Sequence, residues 1–216
     1  MYRACIFDLD GTLTDTLESL TYSVNGTLRE LGMTEITSEQ CRAFVGDGAR
    51  ALIERSLQAV GDKELLKIEE AMAAYKRIFQ KNCTYHVKPY DGIPAMLKEL
   101  KKRGVKLAVL SNKPHEQTRS VVAEIFGDGI FDWVQGQQEA IPRKPSPDGV
   151  YYVLEHLGVK PDEAVYIGDS DVDMKTGKAA GLLTVGVSWG FRDREILAKN
   201  GADKIIDHAE ELESLL

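Results

Sequence analysis

Cysteine is scarce in this sequence, three in 216 residues, and Cys5, Cys41 and Cys83 are odd in number, far apart and outside any CxxC pair. That excludes a disulfide framework or a cysteine zinc knot and predicts reduced thiols in a cytosolic protein. Histidine is equally thin: His86, His115, His156 and His208 neither cluster nor follow zinc-ligand spacing. No apolar run approaches the length of a membrane span, and the first is stopped by Asp8 and Asp10, too soon for a secretory signal. Basic residues are outnumbered, 27 Lys and Arg against 34 Asp and Glu, for a net charge of -7. That balance argues against a broad nucleic-acid or anionic-membrane surface. It leaves room for a small anionic substrate, because a bound divalent cation reverses the local field. Internal repeats and low-complexity segments are missing too. With 43% hydrophobic and 28% charged residues, the chain is expected to be globular and cytoplasmic, with one or two domains, as monomer or homodimer.

What is present is a rhythm. Short Val-, Ile- and Leu-rich runs, "ACIF", "VKLAVLS", "AVYIGD", "LLTVGV" and "ADKIID", with "FDWVQG" as a further candidate, suit strands covered on both faces. Helical patterns over residues 91–103, 147–157 and 171–180 lie between them, and each ends on a glycine placed as a C-terminal cap: Gly104, Gly158, Gly181. Ser146 and Pro147 read as cap and first-turn proline of the second. The alternation predicts an α/β fold with a doubly wound parallel sheet, Rossmann-like in outline. From Leu13 to about Pro89 no strand interrupts several helical patterns, among them Leu17, Leu20, Val24, Leu28 and Leu31, with Thr37 and Gln40 spaced as a capping box. A helical domain over residues 14–87 is expected, inserted into an α/β domain of residues 1–13 and 88–216.

Chemistry in such sheets lies beyond the carboxyl ends of the strands. Polar residues gather there: Asp8 and Asp10, then Ser111 and Asn112, then Asp169 with Asp173 one helical turn later, and Lys144 before a helix start. Carboxylates two residues apart share a face, and their repulsion calls for a cation or a shared proton. An oxygen-only donor set suits Mg2+. Taken singly, each has a plainer reading: a solvated acidic loop, a helix cap at Ser111 and Asn112, a surface lysine. An EF-hand is excluded, since Leu13 and Ser19 stand where its Gly and Glu belong. Arg143 and Lys113, beside these residues, are expected to face solvent.

Asp8-Leu9-Asp10-Gly11-Thr12-Leu13, Ser111-Asn112, Lys144-Pro145 and Gly168-Asp169-Ser170 with Asp173 resemble, in order and spacing, the four motifs of the haloacid dehalogenase superfamily. The resemblance spans nearly the whole chain and implies a helical-bundle cap between the first and second core strands. The dehalogenases proper, and the phosphonate hydrolases, lack the second aspartate that Asp10 supplies here, so the match points to phosphoryl transfer. It implies that Asp8 is the nucleophile and Asp10 the general acid and then base. It implies Mg2+ held by the Asp8 carboxylate, the Asp10 carbonyl and Asp169, with Asp173 orienting from behind. Ser111, the Asn112 backbone and Lys144 then hold phosphate oxygens, with Thr12 supporting the turn and grouped with them.

The loop "FVGDGARALIERSL", with Gly46, Gly48 and Arg50, and the stretch "GVSWGF" resemble bacterial phosphoglycolate phosphatases. This implies a small phosphorylated metabolite as substrate, 2-phosphoglycolate first, with Gly48 and Arg50 reading its far end. Thr14, Asp15 and Thr16 are then a hinge, although Thr16 stands where relatives commonly have serine. A pyrophosphatase, a nucleotidase and a sugar phosphomutase share these motifs. A signalling receiver would carry its aspartate on a middle strand and no inserted helices; a non-catalytic binding protein would have lost a carboxylate.

Overall fold

In a computed structural model describing residues 2–215, the rhythm resolves into two compact units, Met1–Asp15 with Lys88–Leu216, and Thr16–Val87. The first unit begins with β1 (Ala4–Phe7) and β2 (Thr14–Asp15). The second unit holds α1 (Leu17–Glu30), α2 (Ser38–Phe44), α3 (Ala49–Ala59) and α4 (Ile68–Asn82). The chain returns through β3 (Lys88–Pro89), α5 (Ile93–Lys102), β4 (Lys106–Pro114), α6 (His115–Phe126), β5 (Trp133–Gln137) and α7 (Asp148–Leu157). It closes with β6 (Ala164–Gly168), α8 (Asp171–Ala180), β7 (Leu183–Val187), α9 (Arg194–Lys199) and β8 (Lys204–Ile206).

Six strands form one parallel sheet in the order β5-β4-β1-β6-β7-β8. Both faces are covered, which is why the central strands β1 and β6 are buried along their whole length. Ala4, Ile6, Ala108, Leu110, Ala164 and Tyr166 pack against Val150, Val153, Leu154 and Leu157 of α7. Cys5 and Phe7 point the other way and are as deeply buried. Each fully buried Leu or Ile contributes about 1.5–3 kcal/mol. The strand order reverses direction beside β1, and the crevice at the ends of β4, β1 and β6 is where such sheets bind ligands.

Two boundaries differ from the sequence reading. Thr14 and Asp15 pair antiparallel with Lys88 and Pro89, so they belong to the α/β unit rather than to the helices that follow. Helix α7 begins at Asp148, not at the proline, because Ser146 Oγ bonds the Asp148 carboxylate instead of a backbone N–H.

In the helical unit α1, α3 and α4 each bury an apolar stripe: Leu20, Val24 and Leu28; Leu52, Ile53 and Leu57; Tyr75 and Phe79. Ahead of α4, Asp62 takes the Leu66 and Lys67 N–H groups at 2.9 Å each. Thr37 and Gln40 make their reciprocal capping bonds, 3.1 and 2.9 Å. No helix among the described residues is long and apolar enough to cross a membrane.

Candidate active site

The site begins where β1 runs out. Asp8 N–H still donates to the Ile167 carbonyl of β6 at 2.9 Å, which keeps Asp8 in line with the sheet. The chain then folds over one acceptor. The Leu9 carbonyl receives the Thr12, Leu13 and Thr14 N–H groups at 3.3, 3.0 and 3.0 Å, with Leu9 and Leu13 buried as anchors. Only glycine fits the turn: Gly11 has φ +87°, and a Cβ there would lie 2.3 Å from Asp169 Oδ2.

Asp169 follows β6. Thr12 Oγ1 donates to its Oδ1 at 3.0 Å and Phe191 N–H to its Oδ2 at 2.7 Å. The loop after β7 that supplies Phe191 also sends Trp189 Nε1 to the Thr12 carbonyl at 3.0 Å. At Gly190 a Cβ would stand 2.3 Å from that of Asp169, so this backbone approach also requires glycine. Asp173 sits at the start of α8, in a capping box with Ser170. Its Oδ2 accepts from Ser170 N–H at 3.1 Å and Ser170 Oγ at 2.5 Å. Its Oδ1 accepts from Lys144 Nζ at 2.7 Å and Tyr166 OH at 3.1 Å.

Lys144 is 4% exposed and lies between acids, 2.9 Å from Asp8 Oδ1 and 2.7 Å from Asp173 Oδ1. The approach to Asp8 lacks hydrogen-bond direction, so Asp8 Oδ1 is a buried oxygen beside an ammonium but without a hydrogen-bond donor. Asn112 holds this lysine through its backbone: Nδ2 donates to the Lys144 carbonyl at 3.0 Å, and Lys144 N–H donates to Oδ1 at 2.9 Å.

The acids are out of balance. Oxygens of Asp8, Asp169 and Asp173 lie within 4.8 Å of one another, all buried. Burial pushes the Asp8 carboxyl up to about 7, against the pull of Lys144 and with the help of Asp173 and Asp10. Burial, then the charges of Asp173 and Asp8, raise Asp169 to about 8, despite its bonds from Phe191 and Thr12. Burial alone would lower the Lys144 ammonium; Asp173 and Asp8 more than offset it and hold it well above its ordinary value. Three acids with one ammonium among them, offering oxygen ligands only, fit a hard divalent cation.

Of the residues expected from sequence, Asp8, Lys144, Asp169 and Asp173 are brought together, with Thr12 bonded to Asp169 and Asn112 to Lys144. Three details differ. Strand β4 continues to Pro114, with a break in its pairing to β5 between Leu110 and Pro114, so Ser111 and Asn112 end a strand and do not cap α6. Ser111 is buried, and its Oγ accepts Lys113 N–H at 3.3 Å. Thr12 gives its hydroxyl proton to Asp169 at 3.0 Å, so it supports that carboxylate as well as the turn. Lys113, expected in solvent, has a side chain 2% exposed and reaches Asp10 Oδ1 at 2.7 Å. Nothing in the sequence marked it beyond adjacency to Ser111-Asn112, and a lysine's usual place is the surface. Arg143 is exposed, as expected.

Within the helical unit, Gly48 (φ +90°) is the N-cap of α3. The preceding bend is held by Arg55, whose guanidinium donates to the Phe44 carbonyl at 2.7 Å and to Asp47. Arg50 is engaged by Glu54 at 3.0 Å and Glu69 at 2.9 Å.

Comparison with known proteins agrees with this geometry. Residues 5–187 match the model of the haloacid dehalogenase-like hydrolases. The phosphoglycolate phosphatase of Aquifex aeolicus is 36% identical over 189 residues, covering 88% of this chain and 86% of its own. A crystal structure from Lactobacillus delbrueckii subsp. bulgaricus, provisionally assigned as a phosphoglycolate phosphatase, superposes with TM-score 0.91 at 34% identity, covering 99% and 98% of the two chains. CbbY from Rhodobacter sphaeroides, crystallised with phosphate, gives TM-score 0.83 at 29% identity, with 98% and 96% covered. The matched segment runs from β1, whose end bears Asp8, to the end of β7; it contains all four motifs, and the chain belongs to the haloacid dehalogenase-like hydrolase family.

Proposed function

We propose that this protein is a Mg2+-dependent phosphatase of small phosphomonoesters, with 2-phosphoglycolate as the preferred substrate and an aspartyl-phosphate intermediate. The observation that carries the proposal is Asp8: a buried carboxylate oxygen without a hydrogen-bond donor, beside the Lys144 ammonium and two further acids. A solvated acidic loop would not be built this way. In the first step an Asp8 oxygen attacks phosphorus, the ester P–O bond breaks, and Asp10 gives its proton to the departing oxygen. In the second, water attacks the aspartyl-phosphate, Asp10 takes the water's proton, and inorganic phosphate leaves with Asp8 restored. Lys144 and the Ser111 hydroxyl hold the non-bridging oxygens, whose charge changes most. Asp8, the Asp10 carbonyl and Asp169 would hold the metal, which supplies charge neutralisation for the incoming phosphate. Asp173, with both oxygens already engaged by Lys144, Tyr166 and Ser170, orients its neighbours.

The likeness to the phosphoglycolate phosphatase of Aquifex aeolicus supports 2-phosphoglycolate as substrate. Gly48 and Arg50 are the candidates for reading its carboxylate. The glutamate pairs of Arg50 are exposed, and water screens such pairs, so exchange for a substrate anion is inexpensive. The three buried thiols support a cytoplasmic location.

Phosphate release from 2-phosphoglycolate, pyrophosphate, nucleotides and sugar phosphates, with Mg2+ and with EDTA, tests the reading. A preference for 2-phosphoglycolate that EDTA removes is the expected result. Even turnover across the panel would sink the substrate assignment, preference for pyrophosphate would replace it, and no release from any member would remove the phosphatase.

A second measurement reads the acids directly. Because the folded carboxyls of Asp8 and Asp169 titrate near 7 and 8 rather than at the ordinary 3.8, the metal-free folded state holds protons that the unfolded chain has released. Their contribution to stability is therefore best at low pH and declines as pH rises from about 4 to about 8. A divalent cation offsets that decline. Mg2+ at about a hundredfold over its Kd gives about 2.7 kcal/mol, or roughly 5–10 °C of Tm, at pH 8. The increment should shrink to less than half at pH 5. Equal increments at both pH values would contradict the assignment of these carboxylates to the metal.

A further inference from the structure

The fold takes unusual care with Lys113. Its side chain is more buried than the acid it meets, 2% exposed against 14% for Asp10, and Nζ stands 2.7 Å from Asp10 Oδ1. Removing an ammonium from water costs several kcal/mol unless it is well paired, so the position has a purpose beyond solubility. Its backbone is held from three sides. Lys113 N–H donates to Ser111 Oγ at 3.3 Å, and its carbonyl accepts from Thr118 Oγ1 of α6 at 3.1 Å. At Gly136 in β5 a Cβ would come within 2.8 Å of that carbonyl. The pairing break between Leu110 and Pro114 lies at the same place.

We propose that Lys113 is a positioning residue for Asp10: its ammonium holds Oδ1 and leaves Oδ2 for the proton that moves. The inference rests on the proposed role of Asp10 as acid and then base. Asp10 must present one oxygen to two partners in turn. In the first step the Oδ2 proton passes to the leaving oxygen as the ester P–O bond breaks and the Asp8 O–P bond forms. In the second, Oδ2 removes a proton from water as the aspartyl O–P bond breaks. A carboxyl free to rotate would lose that alignment between the steps. An ammonium fixed to a buried strand end keeps Oδ1 occupied through both, and Lys113 exchanges no proton itself.

The test is the leaving-group dependence of kcat/KM for Lys113→Met with Mg2+ present, over monoesters from alkyl phosphates to 4-nitrophenyl phosphate. An alkoxide needs the proton from Asp10; nitrophenolate leaves without it. General acid catalysis contributes about 10²–10⁴-fold, and a positioning residue should account for about 10–100-fold of it on alkyl esters. The loss on 4-nitrophenyl phosphate should stay below about threefold, as expected for a step that needs no general acid. Asp10→Asn should show the same asymmetry more strongly, and the double variant should be no worse than Asp10→Asn alone. Equal losses on both kinds of ester, or losses that multiply in the double variant, would overturn the proposal and leave Lys113 as packing or as an anion-binding group. If Asp10→Asn shows no asymmetry, the role of Asp10 falls, whatever Lys113 does. Lys113→Gln, which keeps an N–H donor, carries the same test should the methionine variant not fold.

Discussion

Asp8→Asn is expected to lower kcat on 2-phosphoglycolate by about four orders of magnitude or more, the scale seen when a covalent nucleophile is removed. The amide matches the carboxylate in shape, so the fold should survive. Stability should improve in the absence of metal at pH 8. The reason is the local charge count: Asp8, Asp169 and Asp173 crowd one ammonium, and Asp8 is pushed to about 7 mainly by burial. Replacing it with a neutral group removes both desolvation and repulsion. The gain in Tm should disappear when Mg2+ is added, because the wild-type protein gains more from the cation than the variant does. Activity within tenfold of wild type would remove Asp8 from the chemistry. A fall in metal-free Tm would show that the cluster is better balanced than its geometry indicates.

Lys144→Met should be as damaging in a different way. It leaves Asp8 and Asp173 buried without their shared cation, and breaking a buried pair from one side costs about 3–5 kcal/mol. For a chain of this size that is a Tm loss of roughly 6–20 °C. The same ammonium is the proposed phosphate clamp, and removing one such charge typically lowers kcat about 10²–10³-fold. The two effects separate by adding metal. Mg2+ should restore part of the lost Tm, since it too neutralises the acids, but it cannot replace a donor aimed at a phosphate oxygen. Thermal melts and phosphate release on one preparation, with and without Mg2+, read both. A variant with lowered Tm and normal kcat would make Lys144 a structural counter-ion only.

The backbone framework is legible in the chain because its causes are local. Continuous Val, Ile and Leu runs mark strands buried on both faces, and a glycine after a helix marks where the backbone turns left-handed, as at Gly158 and Gly181. The four motifs follow, since each sits at the end of a strand or the start of a helix. Asp173 is recognisable as a site acid, and Ser-x-x-Asp from Ser170 is a local pattern that also marks its capping box.

What could not be read depends on partners far apart in sequence. Thr12 bonds Asp169 across 157 positions and Lys113 meets Asp10 across 103. Arg50 finds Glu69 on another helix. The first two pairings are set by strand order, which places β4 and β6 on either side of β1. Lys113 is the instructive case: by residue type it belongs in water, and only a sheet that brings its strand end beside a half-buried carboxylate makes burial tolerable. The sequence by itself determined the sheet, the inserted helices and the acids at the strand ends, because periodicity and turn chemistry act over a few residues. Which side chains became partners, and so which charges are compensated, was decided only by the tertiary structure, because burial and pairing energies exist only once distant segments share one dry space.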